Sequence, residues 1–193
     1  TGRDKPEFPT LFMKSQQSMI GHGQELVRPK VSDQFDFEGE FAVVIGKPGR
    51  YIAKENWKDY LAGYTIIMDG SIRDFQKRSV DQGKNFYHSS SSGPWLITMD
   101  EVPGDFRDMK LTTRLNGKVM QASDLGKLCF DVSDLISYYS QIFYFQPGDM
   151  IATGTPGGVG SRRDPPVWMK PGDELEVEIT GIGILKNAVV GEN

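Results

Sequence analysis

Phe35-Asp36-Phe37-Glu38-Gly39-Glu40-Phe41, running directly into Ala42-Val43-Val44-Ile45-Gly46, is the stretch whose reading decides the fold. Aromatic and acidic residues alternate with period two, the pattern of a strand over 35–46 with two unlike faces. Phe35, Phe37 and Phe41 point one way; Asp36, Glu38 and Glu40 point the other. Neighbouring carboxylates on one strand face lie about 6–7 Å apart and repel by roughly 3 kcal/mol at an effective dielectric near 20. Such a face is either bathed in water or occupied by a cation between its acids. Gly39, lacking a side chain between the two glutamates, favours close approach by another backbone or a ligand.

Outward from this stretch, Gly and Pro punctuate short β-like apolar runs over 11–13, 25–28, 63–69, 95–98, 109–115, 118–122, 149–153 and 174–180. Asn116-Gly117 is the dipeptide of a two-residue hairpin. In Gly172–Ile179 the acids face outward, and Leu175, Val177 and Ile179 face inward. Helices are expected at about 54–61 and about 131–144. The second opens with Asp131-Val132-Ser133-Asp134, gathers Leu135, Ile136, Tyr139 and Phe143 on one face, and stops before Pro147. No repeat, low-complexity tract or linker interrupts the chain. The expected fold class is mainly β with few helices (α+β), a mixed barrel or layered sheet forming a single domain over 1–193.

The net charge of −4, with scattered basic residues, argues against a nucleic-acid or anionic-membrane surface. No apolar run approaches a membrane span and no secretory signal opens the chain, so a cytoplasmic setting is expected. The single cysteine, Cys129, excludes an intrachain disulfide and a cysteine metal cluster, and between Leu128 and Phe130 it reads as a buried, inert thiol. Thr1 in place of an initiator Met implies a start inside a longer polypeptide.

Asp69 ends the apolar run Gly63–Met68 just before Gly70-Ser71, where it is either a turn or helix cap or a ligand. Together with the acid strand it offers carboxylates without a His or Cys partner. That is a hard, oxygen-only donor set suited to Mg²⁺ or Mn²⁺, with Ca²⁺ possible and zinc disfavoured. Lys84, in Gly83-Lys84-Asn85-Phe86, either neutralises a substrate carboxylate or enolate or is simply solvated. Ala152-Thr153-Gly154-Thr155-Pro156-Gly157-Gly158-Val159-Gly160 is either a cradle for an anionic group or a plain turn, and it is not a Walker A loop. His22, inside the turn Gly21-His22-Gly23, and Glu25 just after it form the remaining pair that could supply a base.

Taken in order, Leu11–Lys14, Asp36–Lys47, Asp69–Asp74, Gly83–Phe86, Gly93-Pro94-Trp95 and Thr153–Gly160 resemble the fumarylacetoacetate hydrolase family over essentially the whole chain. The resemblance implies a mostly β, barrel-like roll and a homodimer. It implies a divalent metal held by Glu38, Glu40 and Asp69, with Asp36 left as a flanking surface or supporting acid. By the same resemblance Lys84 helps polarise the substrate's oxygens, Arg73 and Gln76 lie near the reacting carbonyl, and Thr155 with Gly154 contacts the substrate carboxylate.

The implied substrate is a 2-oxo or 2,4-dioxo acid, which chelates a cation through its carboxylate and adjacent carbonyl. The implied activity is hydrolysis of a carbon–carbon bond in an acylpyruvate-like 2,4-dioxo acid. Isomerisation or decarboxylation of a hydroxymuconate-type dioate, and decarboxylation of oxaloacetate, are the alternatives among enzymes. A non-hydrolytic protein that binds a metal and small acids is the alternative outside them. The family's water-activating His-x-x-Glu dyad, in its lid, precedes the Phe-Met-Lys strand, so that segment is expected to be absent from these 193 residues. His22 and Glu25 follow the strand and do not inherit the role. His88 is either a local specificity feature or a surface residue.

Overall fold

A computed structural model describes residues 5–193, so the start at Thr1 lies outside the described residues. One five-stranded sheet runs β1 (Met19–Gly21), β7 (Ser90–Thr98), β5 (Leu61–Met68), β4 (Gly39–Ile45), β10 (Met150–Ala152). A second runs β2 (Leu26–Arg28), β12 (Gly183–Gly191), β11 (Glu174–Ile179), β8 (Lys110–Leu115), β9 (Lys118–Asp124). A short pair, β3 (Phe35–Asp36) with β6 (Ser71–Ile72), stands apart. The two large sheets pack face to face through β4, β5 and β7 against β8, β11 and β12. The mainly β expectation holds, with the strands forming two open layers rather than a closed barrel.

The aromatic half of the opening pattern builds the core between these layers. Phe35, Phe37 and Phe41 are fully buried, and the Phe41 ring stacks 5.4 Å from Phe106 and lies 4.9 Å from Tyr64. Gly39 is needed for the sheets to close. A Cβ there would stand 2.2 Å from Thr113 Oγ1 and 2.9 Å from Val177 Cγ1, so what approaches Gly39 is the opposite sheet, not a ligand. The inward alternation of Leu175, Val177 and Ile179 and the Asn116-Gly117 hairpin both form as expected, with Asn116 and Gly117 at positive φ.

Helices α1 (Arg73–Gln76), α2 (Val80–Lys84) and α3 (Val132–Ile142) complete the frame, and Lys54–Tyr60 is a 3₁₀ helix. α3 carries a capping box between Asp131 and Asp134 and buries Leu135, Ile136 and Tyr139.

Three expectations are corrected. The strand over 35–46 is two strands, interrupted at Phe37-Glu38. Residues 11–13 form no strand. Cys129 is exposed: the irregular step between the 3₁₀ helix Leu125–Lys127 and α3 turns Leu128 and Phe130 onto the core and the thiol outward. β12 was not anticipated, because its inward positions Leu185, Asn187 and Val189 place a polar residue in the apolar register.

Candidate active site

The acidic face of the opening stretch is not wet. Asp36 is 0%, Glu38 9% and Glu40 4% exposed. Register explains how the acids meet. Gly39 pairs with Met68, so Glu38 stands opposite Asp69, and the Asp69 N–H donates to the Glu38 carbonyl at 2.8 Å. Carboxylates directly opposite on antiparallel strands repel, yet here they converge. Glu38, Glu40 and Asp69 each present an oxygen within 4.8 Å of the others.

Cations brought by other elements offset that repulsion. Lys84, buried at the end of α2, donates from Nζ to Glu38 Oε2 and to Asp69 Oδ2, each at 2.5 Å. Gly83 permits this: a Cβ there would meet the Gln76 Cβ at 2.4 Å, so only glycine lets α2 lie close enough against α1. Arg73 donates from Nη2 to Glu38 Oε1 at 2.6 Å, from Nε to Asp36 Oδ2 at 2.7 Å, and from Nη1 to Gln76 Oε1 at 2.8 Å. The single turn of α1 puts Arg73 and Gln76 three apart on one side.

Burial works against the charges of Lys84 and Arg73. Glu38 with Asp69 for the lysine, and Glu38 with Asp36 for the arginine, outweigh it and hold both pKa values above their ordinary levels. Glu40 goes the other way: burial first, then Asp69 and Glu38, push it up to about 8.

Asp36 is fully buried, not a surface acid, and stands outside the converging trio. Beyond Arg73 it accepts from the N–H groups of Phe37 (2.9 Å), Gly160 (2.7 Å) and Ser161 (2.9 Å). It therefore ties the glycine-rich loop to the acid stretch. The loop is tied again where the Gly154 N–H donates to Glu40 Oε2 at 2.8 Å, and where Thr155 Oγ1 donates to the Gly39 carbonyl at 2.9 Å. Gly154 and Thr155 thus stand beside Glu40 and the Gly39 backbone.

Lys14 was missed as a site residue, although its segment carried part of the resemblance. It donates from Nζ to Asp69 Oδ1 at 2.9 Å, to Ser90 Oγ at 2.7 Å and to the Lys84 carbonyl. Burial, outweighing Asp69, lowers its pKa. The available signal was a lone lysine after the apolar run Leu11-Phe12-Met13, which composition alone cannot separate from a solvated one. The histidines lie elsewhere. His22 Nδ1 accepts from the Lys186 N–H at 3.1 Å, and His88 stacks on Tyr87 beside a surface cavity also lined by Glu25.

Three carboxylates with no imidazole or thiolate among them form a hard donor set, and their convergence fits a divalent cation with oxygen preference. A buried acid cluster with the donor set of a candidate metal site thus sits in a two-layer β frame, backed by lysine and arginine. The family model described as fumarylacetoacetate (FAA) hydrolase C-terminal matches residues 1–190, and the chain belongs to the fumarylacetoacetate hydrolase family.

Mitochondrial oxaloacetate tautomerase Fahd2a of Rattus norvegicus is 40% identical over 188 residues, covering 96% of this chain and 60% of its own length. The chain therefore spans about three-fifths of that relative. Among solved structures, 5-carboxymethyl-2-hydroxymuconate delta-isomerase of Mycobacterium smegmatis superposes with a TM-score of 0.88 at 34% identity, covering 100% of this chain and 73% of that one. Maleylpyruvate hydrolase of Sphingobium sp. SYK-6, in complex with manganese (II) and pyruvate, gives 0.84 at 30% identity, covering 94% and 64%. Among the described residues no helix is long and apolar enough to cross a membrane.

Proposed function

We propose that the site is that of a divalent-metal-dependent enzyme interconverting the keto and enol forms of an oxaloacetate-like 2-oxo diacid. The observation that carries this reading is the convergence of Glu38, Glu40 and Asp69 with the Lys84 ammonium between two of them. Glu38, Glu40 and Asp69 would hold the cation, which when bound supplies Lewis-acid polarisation of the 2-oxo group. Lys84 and Arg73 add fixed positive charge that counts for more as enolate character develops. Asp36 and Glu38 hold the Arg73 guanidinium, and Arg73 in turn holds Gln76. Gly154 and Thr155 offer the wall against which the substrate carboxylate rests. Magnesium is the first cation to test and manganese the second, with a homodimer as the proposed assembly. The likeness to the tautomerase at 40% identity supports the choice of reaction.

Carbon–carbon hydrolysis of an acylpyruvate-like 2,4-dioxo acid is the second reading, favoured by the likeness to maleylpyruvate hydrolase. It asks for a water-activating base in addition to enolate stabilisation. Among the described residues neither His22 nor His88 stands at the cluster. The test is a panel of oxaloacetate, acylpyruvates and hydroxymuconates, each with Mg²⁺, Mn²⁺ or chelator, following enol absorbance and product release. Metal-dependent enol decay of oxaloacetate without pyruvate formation supports tautomerisation. Equal rates in chelator, or acylpyruvate cleavage with no effect on oxaloacetate, would refute it.

A further inference from the structure

Gln121 has no part in the chemistry above, yet its side chain touches both halves of the site. It stands on β9, in the sheet opposite Glu38 and Glu40, and is 1% exposed. Its oxygen Oε1 accepts from the Gly39 N–H at 3.0 Å. Its nitrogen Nε2 donates to Thr155 Oγ1 at 2.8 Å and to the Pro156 carbonyl at 3.0 Å. Thr155 Oγ1 closes the circuit by donating to the Gly39 carbonyl at 2.9 Å. Gly39, Gln121 and Thr155 thus form a hydrogen-bonded ring in which the hydroxyl and the amide are both engaged as donor and acceptor.

The strand is shaped for this contact. Thr113 pairs with Gln121 and Arg114 with Val119, so Met120 is an extra residue that bends β9 at this point. The freed Met120 carbonyl accepts from Arg163 Nη2, and a Cβ on Gly158 would stand 2.3 Å from it. The bulge therefore seats the loop over 154–163 while aiming Gln121 at Thr155.

We infer that Gln121 is a positioning residue, acting through Thr155, that sets the spacing between the metal-ligand strand and the wall receiving the substrate carboxylate. The inference rests on the 2-oxo acid reading. A rigid, planar acid spanning from cation to loop tolerates little error in that spacing. An amide whose three hydrogen bonds all run to those two elements fixes it without touching either cation or substrate.

The test uses Gln121→Leu, Thr155→Val, Thr155→Ser and the Gln121→Leu/Thr155→Val double variant. Mn²⁺ affinity is read by electron paramagnetic resonance, oxalate binding to the Mn²⁺-loaded protein by calorimetry, and KM and kcat with oxaloacetate. Expected are Mn²⁺ affinity within about twofold of the parent, and oxalate affinity at least tenfold weaker in both Gln121→Leu and Thr155→Val. KM should rise in parallel and kcat change less than about threefold. The double variant should be no weaker than the weaker single, because the two residues act as one device. Thr155→Ser, which keeps the hydroxyl, should recover the oxalate affinity lost in Thr155→Val.

Losses that multiply in the double variant, or a Gln121→Leu protein that loses Mn²⁺ and oxalate together, overturn the inference. Should Gln121→Leu not fold, the contrast between Thr155→Val and Thr155→Ser decides: equal affinities overturn it. A parent protein that takes up Mn²⁺ but no oxalate instead refutes the 2-oxo acid reading itself, a result separable from any variant's behaviour.

Discussion

Replacing Asp36 by Asn removes one negative charge and turns one of two acceptor oxygens into a donor. Oδ1 serves the N–H groups of Phe37 and Gly160; Oδ2 serves Arg73 Nε and the Ser161 N–H. Whichever way the amide settles, two buried donors face an NH₂ group. Each donor left without an acceptor costs about 1–3 kcal/mol, so the pair costs about 4 kcal/mol. In a chain of this size each kcal/mol moves the melting temperature by about 2–4 °C, which gives a drop of about 8–16 °C.

The assay is thermal unfolding followed by circular dichroism, with Mn²⁺ affinity measured on the same preparation at room temperature. Mn²⁺ affinity should stay within a few fold, since Asp36 is not among the converging carboxylates. Turnover should fall about tenfold as Arg73 and the loop lose a common anchor. A melting temperature within 3 °C of the parent would refute the tie. Complete loss of Mn²⁺ would place Asp36 among the ligands and refute the assignment of roles along the strand.

Glu38→Gln and Asp69→Asn should each weaken Mn²⁺ binding at least tenfold and abolish chelator-sensitive turnover, read by electron paramagnetic resonance and enol absorbance; undiminished turnover in metal-free buffer would sink the metal assignment. Lys84→Met should lower kcat about 10²–10³-fold, as removal of a preorganised charge does elsewhere, and near-normal rates would remove Lys84 from the mechanism. Metal-free stability should fall as pH rises from about 4.5 to about 8. Glu40 is raised in the fold from 4.5 to about 8 by burial and by Asp69 and Glu38, so across that window the native state holds a proton the unfolded chain has lost. Melting curves in chelator at pH 5, 6.5 and 8 test this, and a flat or rising trend would contradict it. Saturating Mn²⁺ should reverse the slope, because it binds the ionised acid.

The features legible in the sequence are those fixed by short-range pattern. Alternation over 174–179 and the Asn-Gly turn obey local rules and form as read, and α3 forms with its acid cap but ends at Ile142, leaving Phe143 in extended backbone beyond it. The acid stretch announced a face but not its shape, since a period of two is the same for a straight strand and for one broken at Phe37-Glu38. The role of Asp36 depends on residues 160 and 161, more than a hundred positions away. Lys14 and Gln121 are missed for a related reason. Their significance lies in three long-range hydrogen bonds each, from an irregular segment and from a bulged strand, and neither leaves a periodic trace. β12 escaped because Asn187 fills an inward slot, where it donates to the carbonyls of Gly21 and Gln24 rather than packing as an apolar residue.

The break in the acid stretch reconciles the two readings with which the sequence began. A straight strand would hold its acids in a row, each facing solvent or one distant cation. Interrupting it at Phe37-Glu38 separates the acids by task. Asp36 turns to bind Arg73 and the loop over 160–161, whereas Glu38 and Glu40 converge with Asp69 across the Gly39–Met68 register. β10 ends at Ala152, opposite Ala42, which leaves the Gly39 N–H and carbonyl to side chains, and Gln121 and Thr155 occupy them. Gly39 serves twice: its missing side chain admits Thr113 and Val177 from the opposite sheet, and its backbone anchors the loop beside the cluster. A Gly39→Ala change should therefore injure fold and site together. A variant that melts normally yet loses oxalate binding, or the reverse, would show that these two functions of the residue are separable.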